Sequence, residues 1–139
     1  MKLDLSNSID ASKAKAYLGK LIELGAKCEI KKINEKRTIR QNSYLHVCLG
    51  MFCAETGYTI EESKELFSRQ LPEIMRYEKM GENFRRSTTT LDKAEMGKLI
   101  DLIREMSLDQ LGLYIPTSEE YIQNRFAIER QLEAAGIHI

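Results

Sequence analysis

The sequence predicts a small single-domain α+β fold. About five helices surround one central apolar helix, and a small antiparallel or mixed sheet is built from N-terminal strands and a hairpin. Three observations lead there. First, the stretch Arg37 to Ala54, RTIRQNSYLHVCLGMFCA, places Leu45, Cys48, Leu49, Phe52 and Cys53 at i, i+3, i+4, i+7 and i+8, one face of a helix. Tyr44, Val47 and Met51 add a second apolar edge, so this helix is expected to be packed on two sides. Second, strand-like alternation occurs before and after the first helical stretch. Third, Gly81-Glu82-Asn83 separates the short runs MRYEK and FRRST, the pattern of a hairpin.

Taken in order, Met1 to Leu5 alternates apolar and polar residues, as a short strand would. Ser8 or Asp10 can cap a helix running to about Leu24. Tyr17, Leu18, Leu21 and Ile22 form its apolar stripe, and Gly25 suits the left-handed position that ends it. Cys28 and Ile30 alternate with charged residues, which predicts a second strand over 27–34. The central helix is expected from about Ile39–Gln41 to just before Gly57. Thr59 with Glu62 matches a capping box, in which hydroxyl and carboxylate satisfy reciprocal backbone donors. The acidic helix that follows meets Pro72. After the hairpin, Asp92 with Glu95 is a second capping box, with Thr90 an alternative cap. Leu99, Ile100, Ile103 and Met106 supply the stripe of a helix ending near Gly112. Thr117 with Glu120 opens a last helix, 118–135, which could pack on its own domain or across a dimer.

The chain of 139 residues, 42% hydrophobic and 30% charged, is sized for one domain with one core, spanning 1–139. It contains no run of about 18 apolar residues that would cross a membrane. MKLDLSNSID lacks the apolar segment of a secretory signal, so a cytoplasmic location is expected. Three cysteines, an odd number, make disulfides unexpected in that compartment. Cys48 and Cys53 read as small core hydrophobes.

Formal net charge is zero, which argues against a protein held on nucleic acid by bulk charge. The charge is unevenly placed, however. Between Lys27 and Gln41, Lys27, Lys31, Lys32, Lys36, Arg37 and Arg40 face only Glu29 and Glu35, a local charge of +4. The hairpin adds Arg76, Lys79, Arg85 and Arg86. No Cys/His spacing suits structural zinc, and the eight glycines form no phosphate loop. No metal or cofactor is therefore expected. The polar groups left for function are Lys31, Lys32, Lys36, Arg37, Arg40, Gln41 and Asn42 before the central helix, and Arg85, Arg86, Ser87 and Thr88 after the hairpin. Guanidinium groups, amides, hydroxyls and helix N-termini are the donors that hold phosphate oxygens. Two such clusters could line one anionic groove. The same residues could instead cap two helices beside solvated arginines.

The string Arg37-Thr38-x-x-Gln41-Asn42-x-x-Leu45-x-x-Cys48-Leu49-Gly50 resembles the signature of the NinB/Orf-type phage recombination proteins. In that family an Arg-Ser/Thr-x-x-Gln-Asn turn leads into a hydrophobic helix. Ser87-Thr88 ahead of Glu95 and an Ile/Leu-rich helix is similar to the family's second motif. The resemblance covers roughly residues 35–115. It implies a small homodimeric α+β protein that binds single-stranded DNA and helps load a recombinase onto strands coated by single-strand-binding protein, without catalysis. Carried over, Arg37, Gln41, Asn42, Ser87 and Thr88 are the matching positions, with Arg85 and Arg86 added on charge. Members often carry a tryptophan where this chain has His46, so one stacking platform for bases is missing; Tyr77 and Phe84 could replace it. Two other functions stay open. One is an adaptor for a host single-strand-binding protein or recombinase. The other is a Mg²⁺-dependent nuclease using His46 and helix acids.

Overall fold

A computed structural model describes residues 1–33 and 39–138. The chain divides into two compact units, Met1–Glu35 and Lys36–Ile139. In the first, α1 (Ser8–Leu24) is capped by Asn7, whose side chain accepts from the Ile9 and Asp10 amides, one residue ahead of the expected Ser8. Gly25 closes the helix in the left-handed conformation expected of it. The expected N-terminal strands are absent among the described residues: 1–4 and 26–33 carry no ladder. Alternation makes a segment able to join a sheet, but a strand exists only where another supplies its hydrogen bonds. The stripe of α1 is also open. Tyr17, Leu18 and Ile22 are exposed, and Asp10, which accepts from the Asp4 amide, is the buried residue of this helix.

The second unit is built on α2 (Gln41–Thr56), which buries Tyr44, Leu45, Val47, Cys48, Leu49, Gly50, Phe52 and Cys53. This is the central apolar helix the spacing predicts, apolar on two sides because neighbouring helices cover it. It packs chiefly on α5 (Lys93–Leu111), through Met96, Leu99, Ile100 and Ile103, and on α3 (Ile60–Gln70). Phe67 of α3 meets Phe52 edge-on, ring centres 4.8 Å apart. Each such side chain, when fully buried, contributes roughly 1.5–3 kcal/mol. The capping boxes at Thr59/Glu62, Asp92/Glu95 and Thr117/Glu120 are all formed.

Between α3 and α5 lie the short helix α4 (Pro72–Met75), then β1 (Arg76–Lys79) and β2 (Glu82–Arg85), paired antiparallel with Arg76 opposite Arg85 and Tyr77 opposite Phe84. This hairpin is the sheet among the described residues, which makes the fold α+β. Its turn is Met80-Gly81 rather than Gly81-Glu82-Asn83. Both central residues have positive φ, 53° and 78°, the two-residue turn whose twist matches that of paired strands. A 3-10 turn, Thr88–Thr90, leads into α5.

The last helix is two pieces rather than one. α6 (Ser118–Gln123) and α7 (Arg125–Ala134) are separated by Asn124, with φ −116° and ψ 21°. The break lets Tyr121 and Glu129 meet: the buried phenol donates to Glu129 Oε1 at 2.7 Å, and Arg125 Nε donates to the same oxygen at 2.9 Å. α7 packs against α2, with Ile128 and Leu132 in the core.

Candidate functional site

The register of the hairpin sets the site. Arg76 and Arg85 stand directly opposite on one face, an arrangement that two like charges disfavour. Carboxylates of α3 offset the repulsion. Glu65 lies 2.9 Å from Arg76 Nη1, 3.4 Å from Arg69 Nε and 3.5 Å from Arg85 Nη1. Arg76 Nη1 also donates to the buried Ser68 hydroxyl at 3.0 Å. Arg85 Nη1 donates to the Glu61 carbonyl at 3.2 Å and Nη2 to Glu61 Oε2 at 2.5 Å. Tyr77 and Phe84 stack on the other face, ring centres 5.6 Å apart and both exposed.

Arg86 turns toward α5 instead. Its Nη1 donates to Glu95 Oε2 at 2.7 Å and to the Ile74 carbonyl at 3.2 Å. Its Nη2 donates to the Thr90 carbonyl at 2.8 Å and to Glu95 Oε1 at 3.2 Å, and its Nε to Thr90 Oγ1 at 3.1 Å. A guanidinium has five N–H donors, and all five are engaged. Arg86 is thus a clamp between hairpin and helix. The bond from Arg86 holds the Glu95 carboxyl below its ordinary range, and the same carboxylate closes the α5 capping box. Arg85 differs, because the two hydrogen bonds it makes to described residues leave donor capacity on the fork.

A cleft of about 300 Å³ opens here, lined by Glu61, Lys64, Arg85, Arg86, Ser87 and Thr88. Lys64 approaches Glu61 at 3.7 Å, with most of its side chain covered. Ser87 is exposed, its hydroxyl 2.9 Å from that of Thr89, while Thr88 is buried. On α2, burial and then the Lys64 charge hold the His46 imidazole below its ordinary value. The core thiol of Cys48 is pushed up to about 12 by burial, which leaves it protonated and unreactive.

The earlier polar corner stands beside the start of α5. Gln41 Nε2 donates to the Lys93 carbonyl at 3.1 Å and lies 3.8 Å from where a Cβ on Gly97 would be. α2 and α5 therefore begin close together. Arg40, the residue before α2, is exposed with no side-chain capping bond, and Asn42 is exposed. Lys36 and Arg37 lie outside the described residues. Lys31 and Lys32 belong to the first unit; both are exposed, and Lys31 Nζ pairs with Glu29 at 3.1 Å.

Glu61, Lys64 and Glu95 were not among the residues the sequence marks for function. Their signal is an acidic α3 next to a basic hairpin, which reads as two solvated faces until register and packing bring them together. Among the described residues, no group of three or more His, Cys, Asp or Glu side chains is placed to share a metal ion. No described helix is long and apolar enough to cross a membrane. No protein-family model matches the sequence, and no curated protein or solved structure matches it.

Proposed function

We propose that the protein is a non-catalytic recombination accessory factor of the NinB/Orf type, which binds single-stranded DNA in the cytoplasm and assists recombinase loading. The observation that carries this reading is the cleft where Lys64, Arg85 and Ser87 converge. Donors of this kind contact phosphates and displace counterions without reading sequence. Arg40, Gln41 and Asn42, at the start of α2, are further donors of the same kind. The motif resemblance supports the same reading and adds a homodimer.

Anisotropy of a labelled single-stranded oligonucleotide, titrated at several salt concentrations, tests it. Affinity should fall with salt, the logarithmic slope being about −0.7 for each phosphate neutralised. Arg85→Ala should weaken binding about threefold or more at low salt, since one charge-assisted contact is lost. Absence of binding by the unsubstituted protein at low salt would end the proposal.

The ion pairing of the hairpin arginines favours a second reading, an adaptor that recognises a single-strand-binding protein or a recombinase. The exposed Tyr77–Phe84 pair, on the hairpin face opposite the neutralised arginines, is an aromatic surface of the sort protein partners use. Direct binding of a purified partner, with no oligonucleotide present and none bound alone, would select it.

A further inference from the structure

Three carboxylates face the arginines around the cleft, and they are not equivalent. Glu95 is fixed twice, by the Asp92 amide at 3.1 Å and by both ends of the Arg86 fork. Glu65 is held among Arg76, Arg69 and Arg85. Glu61 is 70% exposed, and the side chains it meets are Arg85 at 2.5 Å and Lys64 at 3.7 Å. It stands in the first turn of α3 on the solvent side of the cleft. Rotation about its χ angles carries it into water without breaking a buried contact.

We propose that Glu61 is an electrostatic guard on Arg85. Its carboxylate occupies the position a phosphate oxygen of the bound strand would take, and binding exchanges one for the other. The proposal rests on the single-strand reading above. Carboxylate and phosphate offer the guanidinium fork matching pairs of acceptor oxygens. An exposed ion pair is weak in water, so a phosphate belonging to a strand anchored elsewhere can displace it, whereas an isolated anion gains little. The guard thereby favours a chain held at several points over single anions. Charge agrees with this: of the residues lining the cleft, Lys64, Arg85 and Arg86 are cationic and Glu61 is the carboxylate, so its withdrawal leaves the lining without an anion.

Glu61→Gln preserves side-chain size, and the Thr59/Glu62 capping box that starts α3 is untouched. The variant should therefore fold, which circular dichroism checks. Its affinity for a labelled single-stranded oligonucleotide should rise about three- to tenfold at low salt, with the logarithmic salt slope unchanged, because Arg85 meets the same phosphate in both proteins and only the competing carboxylate is gone. Glu105→Gln removes the same charge from the exposed side of α5, three turns beyond Glu95, and should leave affinity unchanged. Arg85→Ala placed in the Glu61→Gln background should abolish the gain. If the unsubstituted protein binds and Glu61→Gln binds identically, the guard is wrong and the single-strand reading stands. Equal gains from Glu61→Gln and Glu105→Gln would also overturn it, because bulk charge would then account for both. No binding by either protein at low salt would remove the single-strand reading and the guard together.

Discussion

α1 and α2 are helices of nearly equal length held in opposite ways. α1 has well-formed ends: Asn7 accepts from two amides, and Gly25 returns its N–H to the Ile22 carbonyl at 3.1 Å. Yet Tyr17, Leu18 and Ile22 are 47%, 40% and 70% exposed. α2 has no side-chain capping bond at its N-terminus and carries a glycine in mid-helix, but half of its residues are buried. Caps say where a helix begins and ends; burial decides how firmly it is held. A cap contributes about 1 kcal/mol, less than one well-buried leucine.

The widest separation between the two should come from matched truncations. Leu45, fully buried in α2, should cost about 2–5 kcal/mol on replacement by alanine. Leu18→Ala in α1 should stay within about 0.5 kcal/mol. Urea denaturation followed by circular dichroism measures both. A large cost at Leu18 would break the comparison, because it would mean that the stripe of α1 is covered in solution, as a second copy of the chain could do.

A smaller and more local effect is expected at the cap itself. Asn7→Ala should weaken α1 by about 1 kcal/mol. Amide hydrogen exchange should then accelerate in Ser8–Leu24 and stay unchanged in Gln41–Thr56, since well-packed helices exchange through larger openings. Acceleration in both helices would show that they unfold as one unit.

The same contrast explains what could be read from the sequence. Features decided within a few residues were legible: three capping boxes, the glycine end of α1, the 3.6-residue stripe of α2, and a hairpin near Gly81. Features decided by distant partners were not. Met1–Leu5 and 27–33 alternate as strands do, but no strand among the described residues forms a ladder with them. The break at Asn124 has no proline or glycine to announce it; it serves the Tyr121–Glu129 contact, eight residues apart, which a continuous helix would not form. In the candidate site, Arg85 and Arg86 are adjacent and look alike in sequence. Register sends Arg85 to α3 and Arg86 to α5, so among the described residues one keeps spare donors and the other has none.

The smallest expected effect concerns protons, and it again separates α2 from α1. His46 is the half-buried histidine of α2, and burial, then the Lys64 charge, lowers its pKa from the ordinary 6.5. Well above that value the imidazole is neutral in both folded and unfolded chains and contributes no pH dependence. As pH falls through 6.5 the unfolded chain takes up the proton more readily, so stability should decline until the folded value is also passed. The depressed carboxyls of Glu61 and Glu95 lose their contribution at lower pH, below the ordinary glutamate value of 4.5, so the two windows are distinct. Comparing urea midpoints at pH 7.5 and 5.5 should show a modest loss that His46→Gln removes, while Asn7→Ala leaves it in place. An NMR titration of the His46 ring with a midpoint at or above 6.5 would refute the argument, because it would place the imidazole in water or beside a carboxylate rather than against Lys64.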